Sequence, residues 1–504
     1  MKIKGLLLGM LALATATSVI TSCKKDDDND NNNNNNNNNN SEKQIVEVSG
    51  SITGDVRWTE DKIYLIKGFV RVGTDPSLTG QPTATGTLRI DPGTLIIGDR
   101  ETKGTLIIQR GSKIFAEGTK QKPIIMTSER PVGLKEPGDW GGLVICGFAR
   151  NNNPGGVGEL EGGYAAYHGG TNDDDNSGIL RYVRIEYAGI PINPNQEVNS
   201  LTMGSVGRGT VIEYVATSYG LDDSFEWFGG TVNCKYLVAY RSLDDDFDVD
   251  NGFRGNVQFG LSIRDRSLAD QSGSNGFEVD NDGAGDPLLT PYTAATFSNI
   301  TVIGPKANRE TPISLQFQHA MHLRRFAKIK IHNSFFTGYP FGLYIDGANT
   351  TQNAVSGELV LKNNILAGVE HWGGNGYGSA GTIFTGAPSN GAQHPNNPRG
   401  AAFRSNVDSL GGAVFEVAAL EAWFRTASFN NQVLDKWQDA GIDASIFDLS
   451  NDPKVTPNAG SILLQGADFS GLNGFQTVPF RGAFGTEDWT DGWMNWTPSA
   501  TKYY

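Results

Sequence analysis

The sequence predicts an all-β solenoid of stacked turns closed by a C-terminal cap that contains a short helix. Three observations predict it. Tyr219-Gly220-Leu221-Asp222-Asp223-Ser224-Phe225-Glu226 returns 22 residues later as Arg241-Ser242-Leu243-Asp244-Asp245-Asp246-Phe247-Asp248. The chain carries 64 glycines but only 19% charged residues, the composition of a turn-rich β protein. Apolar runs of four to six residues come back every ~20 to 30 residues, each too short to bury its inner side alone.

The N-terminus precedes the fold. Lys2 and Lys4 lead an apolar stretch, Gly5 to Ala16, that is shorter than the ~20 residues needed to span a bilayer. A cleaved signal over residues 1–22 is expected. Ile20-Thr21-Ser22-Cys23 resembles a bacterial lipobox. The resemblance implies cleavage before Cys23 and lipidation of that residue; an ordinary secretory signal with an incidental Cys is the plainer reading. Lys24-Lys25-Asp26-Asp27-Asp28 resembles the surface-export signal of Bacteroidetes lipoproteins. The expected location is therefore the outer membrane, facing the exterior. Asp26 to Asn40 is wholly polar and has nothing to bury against its ordering entropy, so residues 23–41 read as a tether. Loss of Lys2 and Lys4 takes the formal charge from −14 to −16. That charge argues against nucleic-acid partners and suits cations or sugars.

The stacked turns are expected over residues 42–400. Gly86-Thr87-Leu88-Arg89-Ile90 recurs as Gly104-Thr105-Leu106-Ile107-Ile108, an 18-residue return. In the longer repeat Tyr214 matches Tyr236, Phe225 matches Phe247 and Glu226 matches Asp248; Phe277-Glu278 is a looser third copy 30 residues on. Further strands are expected at 179–188, 297–303, 327–336 and 358–366. The pattern resembles right-handed parallel β-helix proteins from Thr53 to Leu366. Cys146 and Cys234 fall in predicted strands, either as buried thiols or as a disulfide.

Residues 401–504 form the expected cap. Gly412 to Ser428 places Val414, Val417, Leu420, Trp423 and Phe424 near one helical face. A solenoid's open end must be covered, because unpaired strand edges aggregate. Trp489, Trp493 and Trp496 read as cap core, with a sugar-stacking platform as the functional alternative.

Any chemistry is expected in the acidic repeats. Turns stacked ~4.8 Å apart bring Asp222 beside Asp244 and Glu226 beside Asp248. Carboxylates so close need cations, donors or raised pKa values. One reading is structural, with Arg241, Arg254 and Arg264 neutralising them. A second is a Ca²⁺ site on Asp244, Asp245, Asp246, Asp248 and Asp250, since Ca²⁺ takes 6–8 oxygens. A third is catalysis, with Asp222, Asp223, Asp244, Asp248 and Arg254 as candidates. Gly220-Leu221-Asp222-Asp223 resembles the paired-aspartate motif of polygalacturonases, but that family's other motifs are absent. In pectate-lyase-like enzymes Ca²⁺ acidifies the uronate proton and Arg or Lys is the base; that resemblance casts Asp244, Asp248 and Arg254 in those roles. His319 and His322 lie three apart in a predicted strand, a poor metal spacing. A serine triad, a phosphate loop and a dinucleotide fingerprint are absent.

The passages 222–240, 244–259 and 481–496 together resemble a family of secreted or outer-membrane β-helix proteins of Bacteroidetes. The resemblance implies fold and location, not a reaction. The leading expectation is a lipid-anchored surface protein that binds a glycan, with Ca²⁺ as cofactor and an outer-membrane transporter as neighbour. The alternatives are a polysaccharide lyase or glycoside hydrolase, and a structural or adhesive envelope protein.

Overall fold

Each turn of the chain lays down three short strands that point the same way as their counterparts in the turn before. In the computed structural model, which describes residues 43–78, 81–193, 196–308, 311–368, 384–385, 401–405 and 417–504, the first turn is Gln44–Val48, Ser51–Ile52 and Gly54–Trp58. The second turn stacks on it in parallel, pairing Gln44 with Lys62, Ser51 with Arg71 and Gly54 with Gly86. The signal segment and Cys23 lie outside the described residues. From Gly178–Glu186 onward, the third strand of one turn runs straight into the first strand of the next. The junction residues Tyr182, Tyr214, Tyr236 and Phe259 bend the chain with φ of 50°, 55°, 59° and 62°.

The interior is a column of stacked apolar residues. Ile90, Ala116, Leu180 and Ile212 form one buried ladder through three registers. The result is a parallel β-helix, as the repeats predict.

The two sequence repeats fare differently. Phe225 pairs with Phe247 and Phe247 with Phe277, as the 22- and 30-residue returns require. The 18-residue return is not a turn. Leu88 stacks on Ile114, whereas Leu106 stacks on Val70 and Leu143, in a different sheet. Gly-Thr-Leu marks a strand entered from a glycine turn with an inward residue next. It marks that on either sheet and does not count turns.

The stack also runs past residue 400. Ala401–Ser405 pairs with Phe341–Ile345, and Gln432–Leu434 pairs with Ile365–Ala367. The predicted helix is Val417–Phe424. Its Leu420 and Phe424 are fully buried in the interior column, which they close at this end. The rest of the C-terminal segment is not an end cap but a strap along the side. Ile442, Ile446, Leu463, Phe484 and Trp493 pack on outward residues Val238, Leu261, Ile303 and Ile365. The strap returns far enough for the Tyr503 hydroxyl to donate to Glu186 at 2.6 Å. Trp493 is 1% exposed and donates to the Trp489 carbonyl, so it belongs to the strap's core.

Candidate functional site

Side chains alternate across a strand, so the residues flanking the buried Phe225, Phe247 and Phe277 point out. Register places Thr202, Glu226, Asp248, Glu278, His322 and Tyr344 in one outward row. Phe228 and Asp250 begin a second row beside it. A third runs along the strand entries, where the Asp245 amide donates to Asp223 at 2.8 Å and the Asn275 amide donates to Asp245. Glu226, Asp248 and Glu278 are thus stacked on one another, and Asp245 follows Asp223.

Excursions between strands wall this face into a cleft. Glu161 comes from the long excursion after Cys146, Glu197 from the hairpin at Pro191–Glu197, and Asp270 to Gly273 from the segment before Phe277. The cleft has a volume of about 710 Å³ and is lined by twelve carboxylates and one arginine, Arg324. Arg324 donates to Asp280 at 2.9 Å and pairs with Glu278.

The cleft resists ionisation. Burial, then neighbouring carboxylates, pushes Asp222, Asp223, Glu226, Asp244 and Asp248 well above the usual carboxylate range. Burial raises Asp250 to about 6, with Asp282 adding to the effect. Burial, Glu197 and Asp250 raise Glu161 to about 7. The Asp244 Oδ1 atom is buried and has no hydrogen-bond partner, although Oδ2 accepts from Ser272 at 2.8 Å.

Those features fit a divalent cation. Three groups each bring carboxylate oxygens within 4.8 Å of one another: Asp222, Asp223 and Asp244; Asp223, Glu226 and Asp248; Asp245, Asp248 and Glu278. Oxygens that share a Ca²⁺ at 2.3–2.6 Å stand no more than about 5 Å apart. Three protein oxygens leave positions open for a ligand, and the ion's charge offsets the repulsion.

The structure sorts the sequence candidates. It brings Asp222, Asp223, Asp244, Asp245, Asp248 and Asp250 into the cleft. It removes Asp246, whose fully buried carboxylate pairs with Arg264 at 2.8 Å and accepts from Ser262 and Tyr339. At that corner the third residue of the acidic run turns inward. It also removes Arg254, which lies 3.3 Å from Asp173 and donates to the Gly252 carbonyl. Burial opposes ionisation of Asp173, but Arg150 and Arg254 overcome it and hold the group down at about 2. Arg254 is thus satisfied by a carboxylate outside the cleft. Glu161, Glu197, Asp270 and Arg324 were not legible as site residues, because the first three sit in excursions without a repeat. Arg324 follows a strand whose sequence does not copy the acidic turns. His319 and His322 lie on the strand His319–Leu323 at the cleft's far end, with the His322 ring stacked on Tyr344 at 4.8 Å. Cys146 and Cys234 are free and buried, and burial pushes the Cys234 thiol up to about 12.

A parallel β-helix with a walled, charged cleft on one sheet defines the class of protein. More narrowly, the chain belongs to the family of pectate-lyase-like β-helix domains, whose model matches residues 50–385. No curated protein and no solved structure matches it. Among the described residues no helix is long and apolar enough to cross a membrane.

Proposed function

We propose that this protein binds an acidic glycan in the cleft through divalent cations, Ca²⁺ foremost, held by Asp223, Glu226, Asp245, Asp248 and Glu278. The carrying observation is the set of carboxylate oxygens within 4.8 Å of one another inside a walled cavity. Bare carboxylates at that spacing repel, and a cation with open positions turns the repulsion into affinity for uronate carboxylates and hydroxyls. A pectate-lyase-like β-helix domain is compatible with a carbohydrate-related role. The Cys23 lipobox and the residues after it support lipid anchoring at the outer membrane, facing the exterior. There the protein would present glycan to an outer-membrane transporter.

A second reading, a polysaccharide lyase, is favoured by one feature: Arg324 stands at the cleft's end beside two carboxylates. An inverting hydrolase is favoured less. An inverting acid and base stand ~6.5–9.5 Å apart, wider than the oxygens within each group here. A purely structural or adhesive role would suit a flat ladder better than a walled cleft.

The test is retention on polygalacturonate, alginate and neutral xylan, with Ca²⁺ or with EDTA. Wild type is expected to bind an acidic polymer only with Ca²⁺, and Glu226→Gln with Asp248→Asn to lose that binding. No Ca²⁺-dependent binding to either acidic polymer overturns the proposal. Unsaturated sugar ends appearing with time would establish the lyase reading instead.

A further inference from the structure

A second cavity lies on a different sheet from the cleft, where the strap passes over the bent corner of the stack. Four successive corners carry an aromatic residue at positive φ: Tyr182, Tyr214, Tyr236 and Phe259. Bulky residues are outliers in that region, where the side chain crowds the backbone. The next corners, Asn299 and Asn333, carry the residue type that tolerates it, with φ of 59° and 52°. The asparagines also hold the strap, donating to the Phe480 carbonyl at 2.8 Å and the Asp468 carbonyl at 3.0 Å. The aromatic corners therefore serve something other than the bend.

Their rings stack in sequence, with centroids 4.5, 4.3 and 4.9 Å apart. Trp493 packs edge-on against Tyr182 and Tyr214 and seals that end of the row. Over Tyr236 and Phe259 the strap touches through Trp489, 5.3 Å from the Tyr236 centroid, and Phe480, 6.0 Å from that of Phe259. It leaves an open cavity of about 430 Å³ whose rings are Tyr214, Tyr236, Phe259, Phe480 and Trp489. Trp489 is fixed from behind, stacked on Phe484 at 4.9 Å and donating to the Ala483 carbonyl at 2.9 Å. The rim is polar: Gln476, Thr486 and Glu487. Gln476 is in reach of the floor, accepting from the Tyr236 hydroxyl at 3.4 Å.

We propose that this cavity binds one end of a neutral pyranose chain. The apolar ring surfaces that line the cavity suit the C–H patches of a sugar, while its hydroxyls need polar partners at the rim. The volume lies within the range of about 300–1,000 Å³ typical of small-ligand pockets. The carboxylate of Glu487 at the mouth selects against an acidic sugar, so this site and the cation cleft take different residues of a mixed polymer, or different polymers.

The test is saturation-transfer NMR of the purified protein with cellohexaose, xylohexaose and mannohexaose, all in EDTA, which silences the cleft. At least one sugar is expected to bind. Trp489→Ala should weaken it at least tenfold. Because that substitution also loosens the strap, the exposed pair Gln476→Ala with Glu487→Ala provides a second variant, expected to weaken binding severalfold at an unchanged melting temperature. Glu226→Gln with Asp248→Asn should leave it unaltered. Absence of binding by all three sugars at millimolar concentration overturns the proposal, as does binding indifferent to both pocket variants. Neither result bears on the cation cleft.

Discussion

Phe225, Phe247 and Phe277 stack through the interior, and their sequence neighbours Glu226, Asp248 and Glu278 stack in the same register outside. The two rows belong to the same strands and repeats, yet stacking has opposite consequences for them. Phe225 and Phe247 lie with centroids 6.0 Å apart, Phe247 and Phe277 5.0 Å apart, and all three rings are fully buried. Each added turn enlarges the apolar column. Outside, over these three turns, each step brings another carboxylate beside the last. A solenoid multiplies whatever a position holds, so a favourable contact becomes a core and an unfavourable one becomes a site that requires a ligand.

Breaking the inner row should have the largest effect. Phe247→Ala is expected to destabilise the protein by about 3–5 kcal/mol, the range for a buried aromatic truncated in a core, read by chemical denaturation. Asp246→Ala should approach that loss, because Arg264 would remain buried and unpaired, a situation worth about 3–5 kcal/mol. The same substitution one position earlier or two later, in the cleft, should not.

Relieving the outer row should act in the other direction. Glu226→Gln with Asp248→Asn removes two stacked carboxylates and is expected to raise the melting temperature of the cation-free protein. A lowered melting temperature in EDTA would contradict the reading of this row as repulsive. The pH dependence follows from the same sign. Asp250 at about 6 and Glu161 at about 7 lie above ordinary carboxylate values. The folded, cation-free protein therefore holds these protons more tightly than the unfolded chain. Their contribution is complete below the unfolded carboxylate range, about pH 4, and is lost as pH rises through 6 and 7. Melting temperature in EDTA should fall across that window, and Ca²⁺ should flatten the slope. A flat profile in EDTA would contradict it.

The smallest effect is expected at a third kind of row. Arg57 pairs with Asp91 and Arg89 with Asp55 across adjacent turns, on the surface, with Asp91 half-buried and the other three exposed. Arg57 and Arg89 are neighbours in register, each offset by a carboxylate of the other turn, and pairs so exposed contribute about 0–1 kcal/mol. Arg57→Ala should move stability by no more than that in a denaturant titration.

The inner and outer rows were legible because residues two apart share a face and the 22- and 30-residue returns keep register. The 18-residue return misled because a glycine followed by an inward Leu looks alike on any sheet. Asp244, Asp245 and Asp246 read as one acidic run, but the corner turns only the third inward, and a corner leaves no mark in composition. The cleft's walls were not legible: Glu161 and Glu197 arrive on excursions whose lengths follow no period. The terminal tryptophans were legible as core, but not that their core runs along the flank and leaves a cavity over Tyr236.

The central claim is that the stacked carboxylates are a cation site, and calorimetric titration of the EDTA-stripped protein with Ca²⁺ tests it most directly. Saturable binding is predicted, with a raised melting temperature and about 2.7 kcal/mol of stabilisation at a hundredfold excess over Kd. Both effects should vanish in Glu226→Gln with Asp248→Asn. No heat and no melting shift at millimolar Ca²⁺, or equal binding by the double variant, would contradict it.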